Sequence, residues 1–339
     1  MMTKVSVIGT TSWGTTLAMV LAHNGSEVLL WARTQEEAAT LESARENLLR
    51  LPGIPFLPSM HATASVEESL SGAEIVVLAV PSQSLRENLR GLLPYLDHHS
   101  IFLSAIKGLE KISANRMSQI MEEELPEAFH SRISVLSGPN LAKEIAHGMP
   151  ASTVIASRDE AVALKAQELF MSPTFRVYTN TDVVGVELGG ALKNIIALGG
   201  GISDGLGYGD NGKAAFITRG LVEITRLGVA AGANPLTFAG LAGLGDLVAT
   251  CYSPLSRNRY VGKQLASGRG LQEILSSMKN VAEGVDTTIG ALELASRLRV
   301  DMPLTQAIST VLFQGMDPRQ AVTELMNRAP RPEWSGFQL

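Results

Sequence analysis

The stretch V-I-G-T-T-S-W-G-T-T-L-A-M-V-L, Val7 to Leu21, sets the reading of this chain. An apolar run, Val5–Ile8, stops at Gly9, and an apolar run with helical character begins after Gly14. The spacing is that of G-x-G-x-x-G with Thr11 in the middle place. In such loops the first glycine makes the turn, the second clears room for phosphates, and the third lets helix and strand pack. A second strand-like run, Glu27–Ala32, follows, so the loop sits inside a strand-helix-strand unit. Main-chain amides at the helix start, together with the helix dipole, favour a pyrophosphate there. Gly9, Thr11, Ser12, Trp13 and Gly14 are therefore cofactor-binding candidates.

Thr11 is the departure. If its place needs a positive φ, a β-branched residue is strained by about 1–2 kcal/mol. A hydroxyl donating to a phosphate oxygen would recover part of that. On this reading Thr11→Gly leaves cofactor affinity unchanged or improves it. The second strand ends Trp31-Ala32-Arg33-Thr34, without the acid that often binds a ribose 2′-hydroxyl. Arg33 tolerates a 2′-phosphate, which keeps both NAD and NADP open and makes NADPH acceptable; taken alone, a solvated surface charge is an equal reading.

Beyond the loop, short apolar runs recur at Ile75–Val80, Ile101–Ala105, Ile133–Leu136, Thr153–Ala156 and Phe175–Tyr178. Helical spacing fills Gln35–Asn47, Ser84–Leu93 and Asn115–Leu125. This alternation implies a parallel sheet covered by helices on both faces. After Asn180 only helix-like segments follow, to about Arg328. The expected organisation is an α/β domain over 1–180, an all-helical domain over 181–329 and a tail over 330–339. Glycine is dense between Asp182 and Gly209, which suggests close backbone approach and a helix break around Gly199–Gly201. Glu187, Lys193, Asn194 and Asp204 in that segment argue against a membrane helix.

Composition narrows the classes. With 339 residues, 45% hydrophobic and 18% charged, the chain suits two soluble globular domains. A net charge of −5 argues against a general nucleic-acid binder. The N-terminal apolar run is too short for a signal-peptide core and no uninterrupted apolar stretch approaches a span, so the expected location is the cytoplasm with no membrane span. Cys251 is a lone cysteine and reads as a small buried hydrophobe. The six histidines, including the His98-His99 pair, lack ligand spacing, and no metal is expected.

Three further stretches are more specific than the loop: Glu187-Leu188-Gly189-Gly190-Ala191-Leu192-Lys193-Asn194, Gly240-Leu241-Ala242-Gly243-Leu244-Gly245-Asp246-Leu247, and Ser253-Pro254-Leu255-Ser256-Arg257-Asn258-Arg259. With Ser104-Ala105-Ile106-Lys107-Gly108 and Ser137-Gly138-Pro139, the chain closely resembles the bacterial NAD(P)-dependent glycerol-3-phosphate dehydrogenases, in order from about Val5 to about Arg328. The resemblance implies a Rossmann-like domain, a helical catalytic domain and a cleft between them. It implies reversible NAD(P)H-dependent reduction of dihydroxyacetone phosphate to sn-glycerol 3-phosphate, feeding glycerophospholipid biosynthesis.

The residues carried over are these. The resemblance makes Lys193 the general acid/base, Lys107 a contact to substrate and cofactor, and Asp246 their catalytic neighbour, with all three touching substrate. Alone, a helix lysine is usually solvated, and Asp246 after Gly245 reads as a cap or turn residue. Ser256 reads as an N-cap, and its helix start plus the Arg257 guanidinium suits a phosphate, with Asn258 alongside. The resemblance also places Arg257, Val281, Glu283 and Ala142 at the cofactor, and Gly138 and Asn140 at the substrate. Asn140 stands where the family usually has Ser or Thr, so that contact is expected in altered form. The rival readings are a sister hydroxyacid dehydrogenase and a non-catalytic nucleotide-binding sensor, the latter favoured by Thr11. The expected partner is a small molecule, with no nucleic acid; a homodimer is allowed.

Overall fold

The computed structural model describes residues 2–97, 99–278 and 280–333, so His98 and the tail segment 334–339 lie outside the described residues. The chain forms two compact units: Met1–Ile106 with Met117–Val183, and Lys107–Arg116 with Val184–Leu339. The short excursion Lys107–Arg116, which counts with the helical unit, has no signature in the sequence.

The first unit is built on β1 (Lys4–Ile8), β2 (Glu27–Trp31), β3 (Met60–Thr63), β4 (Ile75–Leu78), β5 (Ile101–Ser104), β6 (Ile133–Ser137), β7 (Ala151–Ser157) and β8 (Phe175–Asn180). Its helices are α1 (Ser12–His23), α2 (Gln35–Ala44), α3 (Val66–Leu70), α4 (Leu85–Leu92), α5 (Met117–Glu124), α6 (Ala142–Ala146) and α7 (Glu160–Phe170). The strand order is β3-β2-β1-β4-β5-β6-β7-β8, parallel throughout except between β6 and β7. Successive residues of a strand point to opposite faces. Val5, Val7, Ile75, Val77, Ile101 and Leu103 pack on one face with Leu17, Leu21 and Phe170 of α1 and α7. Ile8, Val76, Leu78 and Phe102 pack on the other with Leu85, Leu89 and Ile120 of α4 and α5. Two buried faces explain why these strands read as continuous apolar runs. β3 is absent from the sequence reading: it is a four-residue edge strand, Met-His-Ala-Thr, with His61 exposed, too short for its alternation to stand out and without an apolar run. The order of the sheet reverses at β1, where the strand after it in the chain and β4 lie on opposite sides. In open α/β sheets the crevice beyond the strand ends at that point is where ligands bind.

The second unit is helical: α8 (Val183–Leu206), α9 (Gly209–Ala230), α10 (Pro235–Ala239), α11 (Asp246–Tyr252), α12 (Arg257–Ala266), α13 (Leu271–Ser276), α14 (Gly284–Leu298), α15 (Pro303–Phe313) and α16 (Pro318–Met326). The expected break at Gly199–Gly201 does not occur, because α8 runs unbroken across it. The glycines serve contact instead. A Cβ on Gly201 would lie 2.1 Å from the Arg259 carbonyl oxygen, and one on Gly262 would lie 1.9 Å from that of Leu198. Backbone-to-backbone packing of α8 on α12 thus offsets the cost of glycine in a helix. By length and composition α8 could cross a membrane, but 94% of its most apolar window is buried inside the protein, as in the central helix of a core.

Candidate active site

In the first unit the chain leaves β1 through Gly9, at φ +114°, where a Cβ would press to 2.9 Å from the Ala79 carbonyl oxygen. A Cβ on Gly14 would lie 2.1 Å from the carbonyl oxygen of Gly9, so the outer glycines of the motif hold the turn closed on itself. Thr11 corrects the strain expectation. Its φ is −63° and ψ 163°, ordinary extended backbone, and it is the N-cap of α1. Its Oγ1 accepts from Gly14 N at 2.9 Å and donates to the Ala79 carbonyl oxygen at 2.8 Å. The hydroxyl is therefore engaged within the loop rather than offered to a phosphate.

The loop is braced from outside. Asn47 Nδ2 donates to the Thr10 carbonyl oxygen at 2.9 Å and to Thr15 Oγ1 at 2.8 Å, and Ser12 Oγ donates to the Arg50 carbonyl oxygen at 2.6 Å. As first and second residues of α1, Ser12 and Trp13 have amides that precede the i→i−4 ladder. The Trp13 indole N–H is buried with no partner among the described residues. Main-chain amides at a helix start behind a closed glycine turn fit the pyrophosphate of a dinucleotide. Ala142, at the start of α6, is tied to α1 by Thr16 Oγ1, which donates to its carbonyl oxygen at 3.2 Å. Gly138 and Asn140 follow β6; the Asn140 Oδ1 accepts from Thr153 Oγ1 at 3.0 Å, so its carboxamide is anchored on β7. Arg33 is exposed just beyond β2.

The second unit brings Lys107, Lys193 and Asp246 together. Asp246 is 2% exposed and uses both carboxylate oxygens: Oδ1 lies 3.0 Å from Lys193 Nζ and Oδ2 lies 2.7 Å from Lys107 Nζ. Thr250, one turn along α11 from Asp246, accepts from Lys193 Nζ at 2.6 Å and donates to Asp246 Oδ1 at 3.2 Å. Burial pulls the Lys193 ammonium down from 10.5 to about 8; the Asp246 charge opposes that shift, and the Lys107 charge adds to it. Burial also pushes the neighbouring Cys251 thiol up to about 12, which fits an inert, space-filling cysteine.

Local structure explains how these groups meet. Leu241–Gly245 forms a π-helical turn that leads straight into α11 and sets Asp246 at its first position. That turn lies against α8: a Cβ on Gly189 would be 2.7 Å from the Ala242 carbonyl oxygen. The Lys107 segment is clamped to the same helix by the buried pair Arg116–Glu187, at 2.5 Å.

Ser256 caps α12 as expected, its Oγ accepting from Arg259 N at 3.2 Å. Arg257 is exposed at the first position of that helix. Asn258 is buried, with Nδ2 donating to Asn194 Oδ1 at 2.9 Å and Oδ1 accepting from Gly284 N at 3.0 Å. Its side chain thus joins α12 to the residue after Lys193 and to the start of α14, beside Glu283. Val281 is exposed just ahead of α14. Of the expected residues, Gly9, Thr11, Ser12, Trp13, Gly14, Arg33, Gly138, Asn140 and Ala142 belong to the first unit, and Lys107, Lys193, Asp246, Ser256, Arg257, Asn258, Val281 and Glu283 to the second. Sequence reasoning missed Thr250 and Arg116. The i,i+4 spacing from Asp246 could have pointed to Thr250; nothing local marks Arg116.

Comparison with known proteins identifies the family. The family model for the NAD-dependent glycerol-3-phosphate dehydrogenase N-terminus matches residues 4–163, and that for the C-terminus matches 182–323. A glycerol-3-phosphate dehydrogenase (NAD(P)+) of Dehalococcoides mccartyi is 54% identical over 99% of this chain and 94% of its own length. One from Thermobifida fusca is 49% identical, over 99% of this chain and all of its own. The crystal structure of the Coxiella burnetii glycerol-3-phosphate dehydrogenase superposes with a TM-score of 0.92 at 36% identity, covering 96% of this chain and 99% of that one. The chain belongs to the NAD-dependent glycerol-3-phosphate dehydrogenase family.

Proposed function

We propose that this chain catalyses the reversible reduction of dihydroxyacetone phosphate to sn-glycerol 3-phosphate with NADH or NADPH. The observation that carries the reading is the buried Lys193 amine, held by Asp246 and Thr250 and poised to titrate at about 8. The nicotinamide, when bound, supplies the hydride to the carbonyl carbon. Lys193, as ammonium, hydrogen-bonds the carbonyl oxygen, stabilises the growing alkoxide and passes its proton to it. The neutral amine left behind stays oriented by Thr250 and Asp246, and takes the proton back in the reverse direction. Two lysines around one carboxylate leave a net positive site when both are protonated, which suits an anionic substrate. Arg257 and the capped start of α12 take the phosphate end. Gly9, Ser12, Trp13 and Gly14 hold the pyrophosphate, with Ala142 lining the same pocket.

The family role, supply of glycerol phosphate for phospholipid synthesis, goes with this activity, and we place it in the cytoplasm, with a homodimer as the assembly to test. The test is direct: purified protein is mixed with dihydroxyacetone phosphate and NADH or NADPH. Oxidation of the reduced cofactor is expected. Cofactor binding without turnover would instead mark a nucleotide sensor, and faster turnover of an unphosphorylated keto acid would mark a sister enzyme.

A further inference from the structure

We infer that Glu37 sets the cofactor choice of this chain, favouring NAD(H) over NADP(H) by accepting a hydroxyl of the adenosine ribose. The inference rests on the dinucleotide reading of the loop after β1. No acid ends β2, but the fold delivers one from the first turn of α2. The Glu37 carboxylate spans two elements: Oε1 accepts from Thr10 Oγ1 at 2.5 Å, and Oε2 accepts from Arg33 N at 3.3 Å. Thr10 follows Gly9, and Arg33 stands just past the end of β2. These chain segments are adjacent, since Gly9 N donates to the Trp31 carbonyl oxygen at 3.3 Å. The carboxylate therefore sits at the corner between the glycine turn and the end of the second strand, which is where a Rossmann-type sheet receives the ribose.

Helix capping alone does not account for this placement. Thr34 does cap α2, its Oγ1 accepting from Glu37 N at 3.2 Å. In a reciprocal capping box the glutamate returns to the N-cap amide. Here it reaches past Thr34 to Arg33 N and across to Thr10, 27 residues away. Asn47 holds the Thr10 carbonyl from the other side, so the pairing is braced. An ionised carboxylate offers about four acceptor directions, and these two donors take one each. The remainder suits a vicinal diol. A 2′-phosphate, by contrast, brings like charge against the carboxylate, and the exposed Arg33 offsets only part of that repulsion.

The test measures dissociation constants of NADH and NADPH by fluorescence titration without substrate, for the wild type, Glu37→Gln and Glu37→Ala. The wild type is expected to bind NADH more tightly than NADPH. Glu37→Gln, which keeps the shape and removes the charge, is expected to cut that preference by about tenfold. Glu37→Ala should move the ratio the same way, whatever it does to α2. A ratio unmoved in both variants, or a wild type that prefers NADPH, overturns the inference. Because binding is read without turnover, a protein that shifts its ratio but fails to reduce dihydroxyacetone phosphate refutes the reductase reading and leaves Glu37 in place. Turnover with an unmoved ratio does the reverse.

Discussion

Around the glycine turn of the first unit, most of the bracing is done by neutral groups, and the Glu37 carboxylate on Thr10 is the charged exception. Thr11, Ser12, Thr16 and Asn47 hydrogen-bond to main chain or to one another, and the amides of Ser12 and Trp13 lie ahead of the helix ladder. In the second unit, three ionisable side chains, Lys107, Lys193 and Asp246, converge at 2.7 and 3.0 Å in a buried setting. On the proposed function, the difference follows from the task. A pyrophosphate keeps its charge throughout the reaction, so fixed dipoles can hold it. A proton source must change its charge, so it needs a titratable group with neighbours that tune it. Damage to the first site should therefore be graded and fall on binding. Damage to the second should be severe and fall on turnover.

Lys193→Met is the harshest test of that contrast. It is expected to lower the turnover number by about 10²–10⁴ while NADH binding stays near wild type, measured by steady-state kinetics and cofactor titration. Comparable losses in both would erase the distinction. Gly262→Ala comes next and acts on the frame that carries the charges. Its Cβ would fall 1.9 Å from the Leu198 carbonyl oxygen, so α8 and α12 must part. A stability loss of about 1–3 kcal/mol or more is expected in chemical denaturation; an unchanged midpoint would mean the two helices do not rely on that contact. Thr11→Gly is the mildest. Losing the hydrogen bond to Ala79 and the cap of Gly14 should cost about 1 kcal/mol, seen as a few-fold weaker cofactor binding with turnover preserved. Tighter binding would restore the steric account that the sequence alone suggests.

How much could be read in advance follows the same division. Buried strands such as β1, β4 and β5 are legible because two covered faces demand mostly apolar runs, whereas β3 at the edge, with His61 exposed, carries no such demand. The glycine turn is legible from spacing, but the role of Thr11 is not, because its partner Ala79 is 68 residues away. Lys193 and Asp246 are recognisable only through their motifs; their shared geometry depends on a π-helical turn and on glycine contacts that no periodicity announces. The glycines of α8 look like a break in sequence and act as a packing surface in three dimensions. Thr250 and Glu37 fall between these cases. Each sits at a regular helical offset from a recognised residue, yet what it reaches is set by the fold.

The central claim is that the buried Lys193 amine, tuned by Asp246, is the proton donor. The pH dependence of kcat for dihydroxyacetone phosphate reduction tests it most directly, in the wild type and in Asp246→Asn. Reduction needs the ammonium, so the rate should be full below about 8 and fall as pH rises through that value, while glycerol phosphate oxidation should gain over the same window. Removing the Asp246 charge takes away support for the ammonium, so in Asp246→Asn the falling limb should move to lower pH. A reduction rate that stays flat through this window, or a limb that moves upward in Asp246→Asn, would contradict the assignment.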